Sequence, residues 1–273
     1  MTQGAPQEHD AAAGPAFDPS VPSPARVWNF WVGGKDHFEA DRALAGRFGE
    51  VVPGMPLIAR LTRLFLADTV TQLAAAGIRQ FLDIGTGLPT ADNTHEVAQR
   101  LAPDARIVYA DNDPVVLAHA RALLTSSPEG VTDYLDADVR DVDHILEQAA
   151  ETLDFTQPVA VILLAILHYI PDLEESRQVV ARLTDAIPSG SFVVISHAAS
   201  DIDADRMAEM IRRMNEHMGG TTHVGRTREV TADFFTGLDL VEPGVVKVTE
   251  WRPESEQAAK GPTSLWGGVA RKP

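Results

Sequence analysis

From Gly77 onward the chain alternates short apolar runs with amphipathic stretches, and that rhythm admits few folds. Strand-like runs fall at residues 80–84, 106–110, 131–135, 159–164, 192–196, 240–248 and 265–269. Helical periodicity fills the intervals at about 93–101, 114–124, 143–153, 173–186 and 204–217. Each crossover of this kind returns the chain to the same end of a sheet, so a mostly parallel α/β sheet with helices on both faces is expected. No long helix separates the last two strands, which predicts an antiparallel edge pair there.

Ahead of the alternation the pattern differs. Residues 1–22 are rich in proline and small side chains and read as a mobile tail. Residues 23–77 read as a helical N-terminal cap: Ser23 stands ready to cap a short helix with Pro24 at its first position, and two further helices precede Gly77. Residues 78–273 then form the sheet-bearing domain. The 273 residues carry 23 basic and 39 acidic side chains, a net charge of −16. That field repels phosphate backbones and anionic membrane surfaces, so neither nucleic acid nor membrane is expected as a partner. The absence of cysteine excludes disulfides and thiolate chemistry. The nine-residue apolar run ending at Leu167 is too short to span a bilayer, and the N-terminus lacks a signal pattern, so a cytoplasmic location is expected.

The most informative segment is Phe81-Leu82-Asp83-Ile84-Gly85-Thr86-Gly87-Leu88-Pro89. An apolar strand enters a glycine turn, and Asp92, Asn93 and Thr94 open a helix. In an open α/β sheet this is the ligand crevice at the strand carboxyl ends. A dinucleotide site wants a third glycine where Thr90 stands, and Asp83 would repel a pyrophosphate. The same carboxylate attracts the ammonium of S-adenosylmethionine, which carries a sulfonium and no phosphate. The turn therefore favours that cofactor over a nicotinamide dinucleotide.

The next strand ends Tyr109-Ala110-Asp111-Asn112-Asp113-Pro114. Asp111 is positioned to accept from both hydroxyls of a ribose, with Asn112 against the adenine, while Asp113 reads as the cap of the following helix. Asp138, with Val139, falls at the third strand end and either meets the adenine or sits in a solvated acidic loop. Three acids at three successive strand ends carry more weight than any one of them.

These motifs, Asp83-x-Gly85-x-Gly87, Asp111-Asn112 and Asp138-Val139, resemble those of class I, Rossmann-like S-adenosylmethionine-dependent methyltransferases. Four segments narrow the resemblance to a bacterial family formerly catalogued as a domain of unknown function. They are Ala25-Arg26-Val27-Trp28-Asn29-Phe30-Trp31-Val32-Gly33-Gly34-Lys35-Asp36, Asp83 through Thr90, Leu167-His168-Tyr169-Ile170-Pro171-Asp172, and Val241-Glu242-Pro243-Gly244-Val245 with Trp251-Arg252-Pro253. The resemblance covers residues 23–273. It implies a Rossmann-like seven-stranded sheet, bound S-adenosylmethionine with S-adenosylhomocysteine as product, and the N-terminal helices folded over the cofactor. It supplies no acceptor.

On that reading Asp83, Gly85, Thr86, Gly87, Asp111, Asn112, Asp138, Val139 and Ala165 hold the cofactor. His168, just past the fourth strand, is the candidate general base, and its alternative is a packed ring pair with Tyr169. Tyr169, Trp31, Lys35, His37 and His197 are the candidate acceptor contacts. Ala165-Ile166 stands where enzymes that methylate exocyclic amines of bases carry an Asn/Asp-Pro-Pro-aromatic motif, so a small-molecule acceptor is expected. Gly33-Gly34-Lys35-Asp36 lacks the spacing of a phosphate loop. No metal-ligand spacing is present among the histidines. Asp201, Asp203 and Asp205 read as caps of the next helix. Two rival readings are a non-catalytic protein that binds S-adenosylmethionine and an NAD-dependent oxidoreductase.

Overall fold

The computed structural model describes residues 18–123, 125–218, 222–251 and 263–273. The tail expected over 1–22 lies outside them as far as residue 17, as do residue 124 of an expected helix and Arg252 and Pro253.

The strands are β1 (Gln80–Ile84), β2 (Arg106–Asp111), β3 (Val131–Asp136), β4 (Ala160–Leu164), β5 (Phe192–Ala198), β6 (Asp239–Leu240), β7 (Val246–Lys247) and β8 (Leu265–Arg271). They form one sheet in the order β3-β2-β1-β4-β5-β8-β6, with β7 also paired to β8. The first five are parallel to one another, and β8 runs antiparallel to β5, β6 and β7. The single strand expected over 240–248 is broken in two. β6 pairs with Ala270 and Arg271, β7 pairs with Trp266 and Gly267, and the chain between them leaves the ladder. Pro243 has no N–H to donate there, and Gly244 turns at φ 84° with its N–H on the Val241 carbonyl at 2.8 Å. Eight strand segments thus occupy seven sheet positions.

The helices are α1 (Pro24–Val32), α2 (Glu39–Val51), α3 (Met55–Ala75), α4 (Thr94–Leu101), α5 (Pro114–Leu123), α6 (Val142–Ala149), α7 (Leu173–Ala186), α8 (Ala204–His217) and α9 (Arg228–Asp233). A 3-10 turn covers Leu167–Tyr169. The six residues of α9 are too few for periodicity to register, and Thr227 caps it by accepting from the Val230 N–H at 3.3 Å.

Side-chain alternation along the parallel strands divides the core in two. Phe81, Ile107, Ala160, Ile162 and Val194 face α3, α4 and the methionines of α8. Leu82, Val108, Val161, Leu163 and Ile195 face α6 and α7. The N-terminal helices lie on the first of these faces, where Phe65 of α3 meets Trp251 edge-on at 5.5 Å.

Ser23 occupies the cap position of α1 without capping it. Its hydroxyl donates to Asp113 instead, and Asp113 caps α5 by accepting from the Val115 N–H at 2.8 Å. Arg26 pairs with Asp41 at 2.9 Å, both buried, and so ties α1 to α2. Of the three acids expected to cap α8, Asp205 lies inside its first turn and only Asp203 holds the cap position, where it makes no side-chain cap bond and pairs with Arg206 at 2.9 Å. Asp201 faces away, accepting from Trp266 Nε1 at 2.7 Å and the Arg228 N–H at 3.0 Å. Among the described residues no helix is long and apolar enough to cross a membrane.

Candidate functional site

The parallel strands deliver their carboxyl ends to one cavity of about 490 Å³. Its floor is the turn after β1, where Gly85 and Gly87 have φ of 75° and 66°. A Cβ on Gly85 would stand 2.6 Å from Ile166 Cγ1, so only glycine lets the loop after β4 close over the turn. At Gly87, which lines the cavity, a Cβ would meet nothing within 4 Å. The Gly87 N–H donates to Asp111 Oδ2 at 2.9 Å and the Asp113 N–H to Oδ1 at 3.0 Å, which fixes the carboxylate facing the turn. Asn112 Nδ2 reaches Asp138 Oδ2 at 3.2 Å, joining the β2 and β3 ends, and Val139 is buried beside them.

Asp83 is buried, accepting from Thr94 Oγ at 2.6 Å with Arg63 of α3 nearby. Burial pushes the Asp83 and Asp111 carboxyls up to about 6; for Asp83, Thr94 and Arg63 oppose the rise. Arg63 donates to the Asp92 carbonyl at 2.9 Å, and its Nε is buried without a partner at the cavity wall.

Ala165, directly after β4, holds φ 52°, a left-handed conformation that costs a non-glycine residue about 1–2 kcal/mol. Its N–H is caught by Ser196, on Oγ at 3.0 Å and on the carbonyl at 3.1 Å. The conformation sends the chain into the 3-10 turn and brings His168 and Tyr169 to the cavity. His168 stacks on His223 with centroids 5.1 Å apart, and Tyr169 meets His223 edge-on at 4.3 Å. His168 Nδ1 and both ring nitrogens of His223 are buried without hydrogen-bond partners. Burial holds both imidazoles neutral, His223 down to about 3 and His168 well below its usual range, with the charges of His223, His197 and Arg226 adding to the effect on His168. Burial also raises Tyr169.

Asp83, Gly85, Thr86, Gly87, Asp111, Asn112, Asp138, Val139, Ala165, His168, Tyr169 and Trp31 thus share one cavity wall. Lys35, His37 and His197 are not on it, which corrects their grouping with the acceptor contacts. Lys35 is exposed in the turn after α1. His37 faces Phe30 edge-on at 5.2 Å and bonds the Gly34 carbonyl and Arg42. His197 is fully buried behind the site: Arg226 donates to its Nε2 at 2.7 Å, and its Nδ1 lies 2.9 Å from the Ala198 carbonyl.

Arg63 and His223 escape sequence reasoning, as do the methionines of α8 that also line the wall. Arg63 reads as a helix-surface residue, and His223 sits in the irregular stretch after α8. The only sequence signal for His223 is Asn215, eight residues earlier, whose side chain bonds the His223 N–H at 2.6 Å and its carbonyl at 3.1 Å. Among the described residues no cluster of histidine and acidic side chains is arranged to hold a metal ion.

The family model described as S-adenosyl methyltransferase matches residues 10–273. A crystal structure of a DUF574-family protein from Streptomyces avermitilis is 39% identical, covers 94% of this chain and 99% of its own, and superposes with a TM-score of 0.89. A candidate methyltransferase from Thermobifida fusca is also 39% identical, with 93% and 96% covered and a TM-score of 0.83. No curated protein matches the chain.

Proposed function

We propose, from the premise that this chain belongs to the S-adenosyl methyltransferase family, that it methylates a small molecule inside the cavity at the carboxyl end of its sheet. The protein is an S-adenosylmethionine-dependent methyltransferase, and the dinucleotide reading of the turn falls with that membership. What carries the small-molecule reading is the cavity itself. About 490 Å³ lies within the range of small-ligand pockets, and α1, α3 and α8 all contribute to its wall. The net charge of −16 further disfavours a nucleic acid acceptor.

The residues present fit the cofactor. An open glycine cradle, a fixed carboxylate and an unpartnered guanidinium nitrogen match a ligand that carries hydroxyls, an ammonium and a carboxylate. In this reading Asp111 takes the ribose hydroxyls, while Asn112, Asp138 and Val139 hold the adenine. Gly85, Thr86, Gly87 and Ala165 line the methionyl portion, Asp83 faces its ammonium, and Arg63 its carboxylate. When bound, S-adenosylmethionine supplies a methyl group carried on positive sulfur. The protein's own part is to align acceptor and donor and to exclude water. His168, uncharged and with a free ring nitrogen, receives a proton where the acceptor carries one. Residues 23–77 act as the cap that closes the cofactor in, and the protein works in the cytoplasm.

The test is S-adenosylhomocysteine formation from S-adenosylmethionine and a bacterial extract split by ultrafiltration. Product is expected with the small-molecule filtrate and should be lost in Asp111→Ala. Product formed only with the macromolecular retentate would overturn the small-molecule reading.

A further inference from the structure

One stretch of the cavity wall is built by a single helix. Met207, Met210 and Met214 of α8, with Met218 at its end, follow at intervals of three, four and four, so all four side chains share one face. All four are buried, and all four line the cavity. Trp28 and Trp31 of α1 complete that end, their rings 6.0 Å apart and edge-on. The loop that brings back His223 belongs to the same unit, since Asn215 clamps its backbone and the Val224 N–H donates to the His168 carbonyl at 2.9 Å.

The two sides demand different things of an occupant. Thioethers and indoles offer polarizable contact to a flat ring and accept variation in its outline, while giving no compensation to a negative charge. The imidazole side carries three buried ring nitrogens without partners, and a neutral imidazole has one nitrogen that only accepts. Leaving such a nitrogen unmet costs desolvation, and a matching donor recovers it.

We infer that this end of the cavity is the acceptor subsite and that it takes an uncharged, flat aromatic molecule bearing a hydroxyl, which donates to the His168–His223 pair while α8 grips the ring. The inference rests on the methyltransferase reading of the same cavity. In the transfer it implies, a lone pair of the acceptor oxygen forms the new C–O bond while the S–CH₃ bond breaks with its electrons on sulfur. The hydroxyl proton passes to an imidazole nitrogen. One positive charge leaves sulfur as another arises on the ring, so the net charge of the enclosed site does not change.

The experiment is calorimetric titration of the full chain, saturated with S-adenosylhomocysteine, with three probes: 2-naphthol, 2-methoxynaphthalene and 2-naphthoate. Naphthol is expected to bind about tenfold more tightly than its ether, the worth of one recovered hydrogen bond, and naphthoate not to bind. Replacing both rings, His168→Phe with His223→Phe, preserves the stack and should abolish the preference. Met214→Ala should weaken naphthol and the ether alike. Equal binding of naphthol and ether, tight binding of naphthoate, or no binding of naphthol while S-adenosylhomocysteine binds normally would each overturn the inference alone. Failure of S-adenosylhomocysteine itself to bind would instead overturn the cofactor assignment, and this inference with it.

Discussion

The backbone N–H of Gly87 donates to Oδ2 of Asp111 at 2.9 Å, so the turn after β1 is tied to the end of β2 at the edge of the cavity. The Asp113 N–H holds the other oxygen at 3.0 Å, so the carboxylate is fixed at both atoms where it lines the cavity. Asp111→Ala removes two charge-assisted acceptors, and affinity for S-adenosylmethionine is expected to fall about 100-fold. Calorimetry measures this, with circular dichroism as the check on folding. Undiminished affinity in a folded variant would remove Asp111 from the ribose role.

The same edge gives binding a defined pH dependence. Burial raises Asp83 and Asp111 to about 6, whereas an unfolded aspartate titrates near about 3.9. Folding therefore takes up protons across that window, and the contribution of each group to stability diminishes as pH rises through it. A cationic ligand that needs the carboxylates ionised works in the opposite sense. Affinity for S-adenosylmethionine should be flat above about pH 7 and should fall about tenfold per pH unit, for each carboxyl that must lose its proton, below about pH 6. Titrations from pH 5 to 8 in buffers of differing ionisation enthalpy would reveal the accompanying proton release. Asp83→Asn should flatten part of the curve, and a profile already flat in the native chain would contradict the assignment.

What could be read from sequence follows from how local each determinant is. β1 and the helices α7 and α8 are legible to the residue because an apolar run or a strong periodicity is complete within each. The acids 83, 111 and 138 can be grouped in advance because parallel strands must bring their ends to one side. The broken edge strand is harder, since apolar residues stand on both sides of the break in 240–248 and Pro243 and Gly244 mark the gap. His223 and Arg63 depend on tertiary contacts, an asparagine clamp and a helix crossing, that no periodicity encodes. His197 fails for the converse reason: its strand-end position is right, but Arg226 claims its ring.

The two glycines of the turn should respond differently to alanine. At Gly85 the new Cβ meets Ile166 at 2.6 Å with φ 75°, combining overpacking with a left-handed backbone. Gly85→Ala is expected to cost about 2–4 kcal/mol in urea denaturation. Gly87→Ala has the backbone term and open space, so about 1 kcal/mol of stability is expected to go. On the proposed cofactor assignment its methyl group intrudes on the ligand, so calorimetric affinity should suffer far more than stability. Equal stability losses would mean that the closure of Ile166 over the turn is not rigid.

The buried pair of Arg26 and Asp41 is the last point at which a single side chain organises the site from a distance. Asp41 accepts from Arg26 Nε at 2.9 Å, from the Ser23 N–H at 3.0 Å and from the Phe38 N–H at 2.8 Å. It therefore fixes the start of α1, the start of α2 and the residue whose hydroxyl reaches Asp113 at the cavity. Asp41→Ala leaves a buried guanidinium without its nearest carboxylate and strands two backbone donors, a loss of about 3–5 kcal/mol. Because those donors belong to the N-terminal helices, protease cleavage should move into residues 23–54, and S-adenosylmethionine affinity should fall even though no cavity side chain has changed. Pairing Asp41→Leu with Arg26→Met removes both charges and should recover part of the stability but not the hydrogen bonds to Ser23 and Phe38. If the double variant regains full affinity, the ion pair rather than the backbone clamp sets the position of α1; if stability returns while affinity stays low, the clamp does.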